Sequence, residues 1–458
     1  MVLSSKRFKK VPPEGGWGFL VLFGLAIFLT FSLGTFPSLA LIFGDFLAER
    51  DEDSGALTTL MSWYFASFSC VGLVTNYFFK LFTVRSVALV GAVVFMVGSV
   101  WAVFATTFAD LVLAFGVLEG AGFGLMISAS YLTFNAYFVK KRIMMMSVAQ
   151  SIFGLGTMAY PIFVQFFMEE FGYRGFMAIR AGFHGHVLFG MLLMHPVEWH
   201  MKKVICEELL FNDRVNDTET KYEDNQNRPF ELINDDSKTR GKVDIQPMKH
   251  VSIKNLWTKV VDFLDLTLMK DPIYVNISLG ISFALYSDMS FFAIQPLYLL
   301  KLNLSKTIIA HIIAIGATAD LISRIFLAVS STWIRLKARD IYLIGAALTI
   351  IARFAFLYVN DFIGIVTITA AMGFLRTWIH VPLPIVFGDH LPPTRFPSGY
   401  GLFMFIQGMS MFALTSVVTK ISSMVQDDIV TFHILTLAMA LCVMPWILEK
   451  IWLKLKKK

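Results

Sequence analysis

Charge is scarce in this 458-residue chain. Asp, Glu, Lys and Arg make up 16% of it, against roughly 25% in an ordinary soluble domain. Cysteine is scarcer still: Cys70, Cys206 and Cys442 stand far apart and imply neither a disulfide framework nor a metal site. The nine histidines are scattered, and none pairs at metal-ligand spacing with convincing partners. There is no glycine-rich loop of the phosphate-cradling kind and no Ser/His/Asp grouping, so no cofactor and no enzymatic reaction are expected. The basic start MVLSSKRFKK is not followed by a short apolar region with a small-residue cleavage site, so it does not read as a cleaved signal peptide.

What the chain has in excess is apolar surface. It is 56% hydrophobic with a mean hydropathy of +0.65, and it carries 45 Phe and 23 Met. An aqueous core cannot hide that much oil, so the lipid bilayer is the expected solvent. A spanning helix needs about 20 mostly apolar residues. Twelve stretches qualify, near 17–44, 56–79, 86–106, 109–134, 144–167, 176–195, 273–299, 306–332, 340–359, 361–384, 397–419 and 430–449. Residues 196–272 differ: NDRVNDTETKYEDNQNRPFELINDDSKTRGK is polar and reads as a solvated loop, with a short amphipathic helix near 255–268. The expected fold is therefore an all-α membrane protein of twelve transmembrane helices in two six-helix halves, the architecture of a major facilitator. The division runs 1–16 tail, 17–195 first half, 196–272 loop, 273–449 second half and 450–458 basic tail.

Lys and Arg placement sets the expected topology. With both termini in the cytoplasm, 30 of the 39 fall inside and 5 outside, or 18 against 5 without the long loop. The net charge of +6 then reflects anchoring beside anionic lipid rather than nucleic-acid binding. The Asn303 sequon faces outside but too near the membrane to be a good glycosylation acceptor.

An ionisable residue inside a span is costly and hence a functional hypothesis. The candidates are Glu119, Arg180, His184, His186, Asp288, His311, Asp320, Arg324, Arg353, Arg376 and His380. ATADLISRIFLA (317–328) puts Asp320 and Arg324 one helical turn apart on one face. Ionised together they satisfy each other. If Asp320 takes a proton, Arg324 is released to bind a carboxylate through its planar fork. The competing reading is a static salt bridge. Arg376 is either a second anion-binding cation or the partner of an acid such as Asp288 or Glu119. Glu119 reads as a packing-linked polar contact, and His311 and Arg353 as peripheral. Pro37, Pro161, Pro296 and Pro384 are expected to break helices inside spans.

Several motifs converge on one family. PPEGGWGF (12–19) resembles the Asp/Glu-Gly-Gly-Trp-Gly-Trp signature of the monocarboxylate transporter family, with Phe19 at its last aromatic. AYFVKKRIMMMSVAQSIFGLG (136–156) resembles the second signature of that family. FGYRG (171–175) resembles its Gly-Trp-Arg-Gly before span six, RFPSGYGL (395–402) its start of span eleven, and ATADLISR its Asp-x-x-x-Arg in span eight. The resemblance covers nearly the whole chain. It implies a plasma-membrane carrier of small carboxylates, often with a proton, working by alternating access, in which Asp320 carries the proton and Arg324 holds the carboxylate. The family also has a Lys after Phe-Pro in span one. Here GTFPSLALIF has Ser38, which brings no charge, and Arg376 is the candidate replacement cation. Tyr131, Asn135 and Phe374 are further cavity-lining candidates with Ser38. Some members need a single-span immunoglobulin-type companion. The alternatives are proton-independent transport of an aromatic, zwitterionic or other amphipathic metabolite, and a non-transporting membrane sensor.

Overall fold

Runs of apolar residues too long for a strand become helices in a bilayer, because a helix satisfies all its backbone groups within the segment. The computed structural model describes residues 8–49, 56–205, 265–302, 304–331, 333, 336–359, 361–425 and 428–456, and these are almost entirely helical. Nine helices among the described residues are long and apolar enough to cross a membrane. One of them, Arg142–Leu192, carries spans five and six. Adding the shorter apolar helix Trp17–Leu33 and the helix Ala56–Leu81 gives twelve spanning segments. Several begin where a side chain caps the first turn: Thr83 for span three, Thr107 with Asp110 for span four, Asp271 for span seven, Ser305 for span eight and Asp361 for span ten.

Span five turns into span six at Gly172, where φ is +66° and ψ −179°. Only glycine enters that region without strain, which explains the FGYRG stretch. Span one is not continuous: the helix Trp17–Leu33 ends, Phe36–Ser38 form a 3-10 turn, and Leu39–Ala48 resume. Span ten likewise breaks between Phe362–His380 and Leu383–His390, at Pro382 and Pro384. Pro161 and Pro296, expected to break their spans, lie inside helices that continue. In a buried bundle, neighbouring groups can take over the backbone bonds that proline removes. After one α-helical turn, Phe108–Leu111, span four runs on as a π-helical stretch, Val112–Glu119.

An antiparallel ribbon was not expected. Strand β1 (Phe8–Val11) pairs with β2 (Lys202–Ile205), tying the segment before span one to the segment after span six. The helix anticipated near 255–268 falls mostly outside the described residues; within them, Leu266–Lys270 form a 3-10 turn.

Within the first half, spans one, five and six pack together, as do spans two, three and four. In the second half, span seven lies on span twelve, and spans eight and nine lie on span ten. Two seams join the halves, span two against span eleven and span five against span eight. Small residues make the first seam close: a methyl on Gly401 would collide with the Gly72 carbonyl oxygen, and one on Gly408 with Ser69. With twelve spans between them, the described residues before span one and after span twelve lie on one side, here the terminal side. Tyr131 on Tyr400, Asn135 on Gly388 and the Arg142–Asp389 ion pair all bridge the halves near that side.

The first two segments quoted for the family resemblance, 12–19 and 136–156, meet there. Glu14 of PPEGGWGF accepts hydrogen bonds from the backbone N–H groups of Val139, Lys140 and Lys141, at 2.8, 2.7 and 3.3 Å. Its carboxylate thus closes the turn that begins span five. Trp17 donates its indole N–H to the Leu193 carbonyl at 3.1 Å and stacks on His195 and His200.

Candidate functional site

Span eight places Asp320 and Arg324 as its periodicity requires. Arg324 donates from Nη2 and Nε to Asp320 Oδ2, at 2.7 and 3.1 Å. The other carboxylate oxygen, Oδ1, accepts from the Thr377 hydroxyl of span ten at 2.7 Å. Arg324 Nη1 reaches across the seam to Gln150 of span five, donating to its main-chain oxygen at 2.7 Å and to Oε1 at 3.3 Å. The Gln150 Nε2 in turn donates to the His380 carbonyl at 3.2 Å. Gly154, one turn after Gln150, leaves room for the guanidinium, which sits 3.8 Å from where a β-carbon would stand.

A second cluster surrounds Asp288 of span seven, which is fully buried. Arg376 donates from Nε to Oδ2 at 3.0 Å, and His380 Nε2 lies 2.9 Å from the same oxygen. Arg353 of span nine lies 3.4 Å from Oδ1 and donates to Ser287. Arg353, read from the sequence as peripheral, is therefore a buried partner of this acid, its guanidinium over the Phe291 ring. Hydropathy alone places Arg353 near the far end of its span, and only the packing shows that its side chain turns inward. His311 is exposed. Of the two partners considered for Arg376, Asp288 is the one it meets.

In the first half, Glu119 pairs with Arg180 at 2.6 Å, and Ser99 bridges Glu119 to His184. All four are buried. The π-helical stretch of span four ends at Glu119. The Glu119 carboxylate thus takes its partners from buried neighbours, in line with the reading of Glu119 as a packing-linked contact. His186 lies exposed, beside Phe31 and Phe183.

The charges inside the spans thus sort into three groups. Glu119 cancels Arg180, and Asp320 cancels Arg324. Asp288 faces two arginines, so with neutral histidines one positive charge is in surplus. Among the described residues, Arg376 uses only Nε in hydrogen bonding, which leaves four of its five N–H groups. Its side chain is 32% exposed, against 0% for Arg353. Arg324 is the opposite case: four of its five N–H groups are taken by Asp320 and Gln150.

The remaining sequence candidates are not gathered at one point. Ser38 is fully buried at the break of span one, and its hydroxyl has no partner among the described residues. Tyr131 packs edge-on against Tyr400, and Asn135 against Gly388, both near the terminal side. Phe374 lines an apolar crevice of about 460 Å³ with Ala319, Ile322, Ala370, Ala371 and Leu375. There it also contacts Phe326 and Trp378. Sequence reasoning missed Gln150 and Thr377. Both are uncharged polar residues in apolar spans, a signal that a search for ionisable groups alone passes over.

Comparison with known proteins places this geometry. The sequence model of the Major Facilitator Superfamily matches residues 18–415. Monocarboxylate transporter 7 of Homo sapiens is 22% identical over 88% of this chain and 80% of its own length. Monocarboxylate transporter 1 of Mus musculus is 24% identical over 86% and 77%. Monocarboxylate transporter 12 of Xenopus laevis is 27% identical, but the match spans only 43% of either chain. Among solved structures, the Major Facilitator Superfamily transporter FucP in the outward conformation aligns with a TM-score of 0.58 at 12% identity, covering 93% of this chain and 98% of that one. The proton:xylose symporter XylE aligns at 0.62 and 13%, covering 93% and 94%. The chain belongs to the Major Facilitator Superfamily: it is a multi-pass secondary transporter, not an enzyme, and among its relatives are monocarboxylate transporters.

Proposed function

We propose that this protein carries a small monocarboxylate-type organic acid across the plasma membrane by alternating access of its two halves, with both termini cytoplasmic and the halves divided at the loop 196–272. The observation that carries the reading is the surplus positive charge around Asp288, where Arg376 is one-third exposed and its terminal nitrogens have no hydrogen-bond partner among the described residues. A single carboxylate neutralises that charge and can take two parallel N–H bonds from the guanidinium fork. Arg324 is the second anchor. It becomes available when Asp320 is protonated, since Asp320 occupies its Nε and Nη2. Proton and anion then cross as a neutral couple. The test is uptake of labelled monocarboxylates into cells or vesicles bearing the protein, at about pH 6 and about pH 8. Saturable uptake that rises at the lower pH supports the whole reading; no uptake of any monocarboxylate overturns it.

A second reading, supported by Ser38, is proton-independent transport of an amphipathic metabolite. The family position that carries a Lys here holds a buried, unpartnered hydroxyl with no charge to exchange. In this case the anion is balanced by Arg376 alone, and uptake is the same at both pH values.

A further inference from the structure

Asp320 and Arg324 form one cluster of the second half, and Asp288, Arg353, Arg376 and His380 another; the side chain of Gln150, from the first half, meets Arg324 in the one and the main-chain carbonyl of His380 in the other. Gln150 is 6% exposed. Arginine has no acceptor, so the oxygen of the Gln150 amide must face Arg324 and its nitrogen the His380 carbonyl. Through Oε1 and its main-chain oxygen, Gln150 fills the Nη1 edge of Arg324, while Asp320 fills the Nε and Nη2 edge. One N–H remains, too few for two-point binding of a carboxylate. Either Asp320 or Gln150 must withdraw before Arg324 can hold a substrate.

The two withdrawals differ in consequence. Asp320 is on the same helix as Arg324, and its release leaves the seam between the halves unchanged. Gln150 is on span five, so its release undoes hydrogen bonds that join span five to spans eight and ten. We infer that Gln150 is a positioning residue that acts as an internal competitor for Arg324: exchange of its amide oxygen for the substrate carboxylate couples binding to the parting of span five from span eight. This inference rests on the carboxylate reading above for its kinetic half, but not for its conformational half.

Two substitutions separate this role from a merely structural one. Gln150→Leu removes the competing oxygen and frees an Arg324 N–H. Gln150→Glu puts a permanent carboxylate against Arg324 and cancels the surplus positive charge. For a transported monocarboxylate, at matched surface levels, Gln150→Leu is expected to lower KM roughly threefold or more, and Gln150→Glu to raise it roughly tenfold or more. A structural role alone lowers the maximal rate in both variants and leaves KM where it was. Unchanged KM values, or shifts in the same direction, overturn the competitor role.

The seam is tested without any substrate. Spin labels at Val139→Cys and Leu336→Cys, both exposed and in different halves near the terminal side, report the separation there, in a background with the three native cysteines replaced. Gln150→Leu is expected to add a longer component to the distance distribution. A distribution identical to that of Gln150 protein overturns the latch. If the unsubstituted protein takes up no monocarboxylate, the carboxylate reading fails, and the label distances still decide the latch.

Discussion

Arg376 holds Asp288 by its Nε at 3.0 Å, and among the described residues both its terminal nitrogens are unused. The guanidinium is fixed at one edge by a buried carboxylate and braced over the Phe292 ring at 4.7 Å, so its fork is oriented before any ligand arrives. Orientation in advance reduces the ordering that binding would otherwise require. Arg376→Ala is expected to raise KM for a monocarboxylate by about tenfold or more, the scale of a lost hydrogen bond to a charged group. Arg376→Lys keeps the charge but loses the second parallel bond, and should fall between the two. Concentration-dependent uptake checks the order.

Asp288 is the single acid between two arginines, and its removal leaves Arg353 buried with no counter-charge. Breaking one side of a buried pair costs about 3–5 kcal/mol. Asp288→Asn should therefore lower the thermal midpoint of the detergent-solubilised protein markedly. Asp288→Asn combined with Arg353→Met should recover much of the loss, because neither charge is then stranded. A thermal-shift measurement on the single and double variants distinguishes them.

Gly154 faces Arg324 with a clearance of 3.8 Å to a β-carbon, an ordinary contact distance. Gly154→Ala is expected to transport nearly as the unsubstituted protein does. Gly154→Leu pushes a branched side chain into the guanidinium, and overpacking of a filled site costs about 1–3 kcal/mol. It should lose uptake while still reaching the surface, which surface labelling confirms.

Much of the fold was legible because its causes are local. Apolar run length marks a span, and Asp or Ser or Thr before it marks the cap. The Asp320–Arg324 pair was legible for the same reason, being one turn apart on a single helix. What the sequence did not disclose depends on packing between distant segments. Arg353 meets Asp288 across 65 residues, and Gln150 meets Arg324 across 174; neither spacing carries a periodic signal. Phe374 illustrates the converse. It is two residues from Arg376, yet the helix turns it toward an apolar crevice beside Phe326, so nearness in sequence does not bring the two into one cluster. The ribbon between β1 and β2 went unseen because each strand has only four residues.

At the terminal side, Asp265 accepts hydrogen bonds from Arg395, Thr267 and Ser398. Partial burial works against its charge, but those bonds outweigh it and hold the carboxyl below its ordinary value of 3.8. A carboxyl with a depressed native value contributes stability above its unfolded value, and that contribution disappears as pH falls through the native one. Asp265→Asn should thus be less stable than the unsubstituted protein at neutral pH, and the difference should close on acidification below about pH 4. Thermal midpoints across that range test the sign.

The Arg142–Asp389 pair joins the halves at 3.0 Å near the terminal side, with side chains 17% and 33% exposed. Half-exposed pairs contribute up to about 1 kcal/mol. Asp389→Ala is expected to shift the balance toward separation at that side by a few-fold, read from the same Val139 and Leu336 label distances.

In the proposed mechanism Arg324 and Arg376 jointly hold a carboxylate, with Asp320 deciding when Arg324 is free. The most direct measurement is uptake of a labelled monocarboxylate by the unsubstituted protein, Arg324→Ala, Arg376→Ala and Asp320→Asn at equal surface levels, at about pH 6 and about pH 8. That mechanism predicts uptake by the unsubstituted protein that Arg324→Ala abolishes and Arg376→Ala weakens. It also predicts that Asp320→Asn removes the dependence on pH. Undiminished uptake by both Arg324→Ala and Asp320→Asn would contradict it.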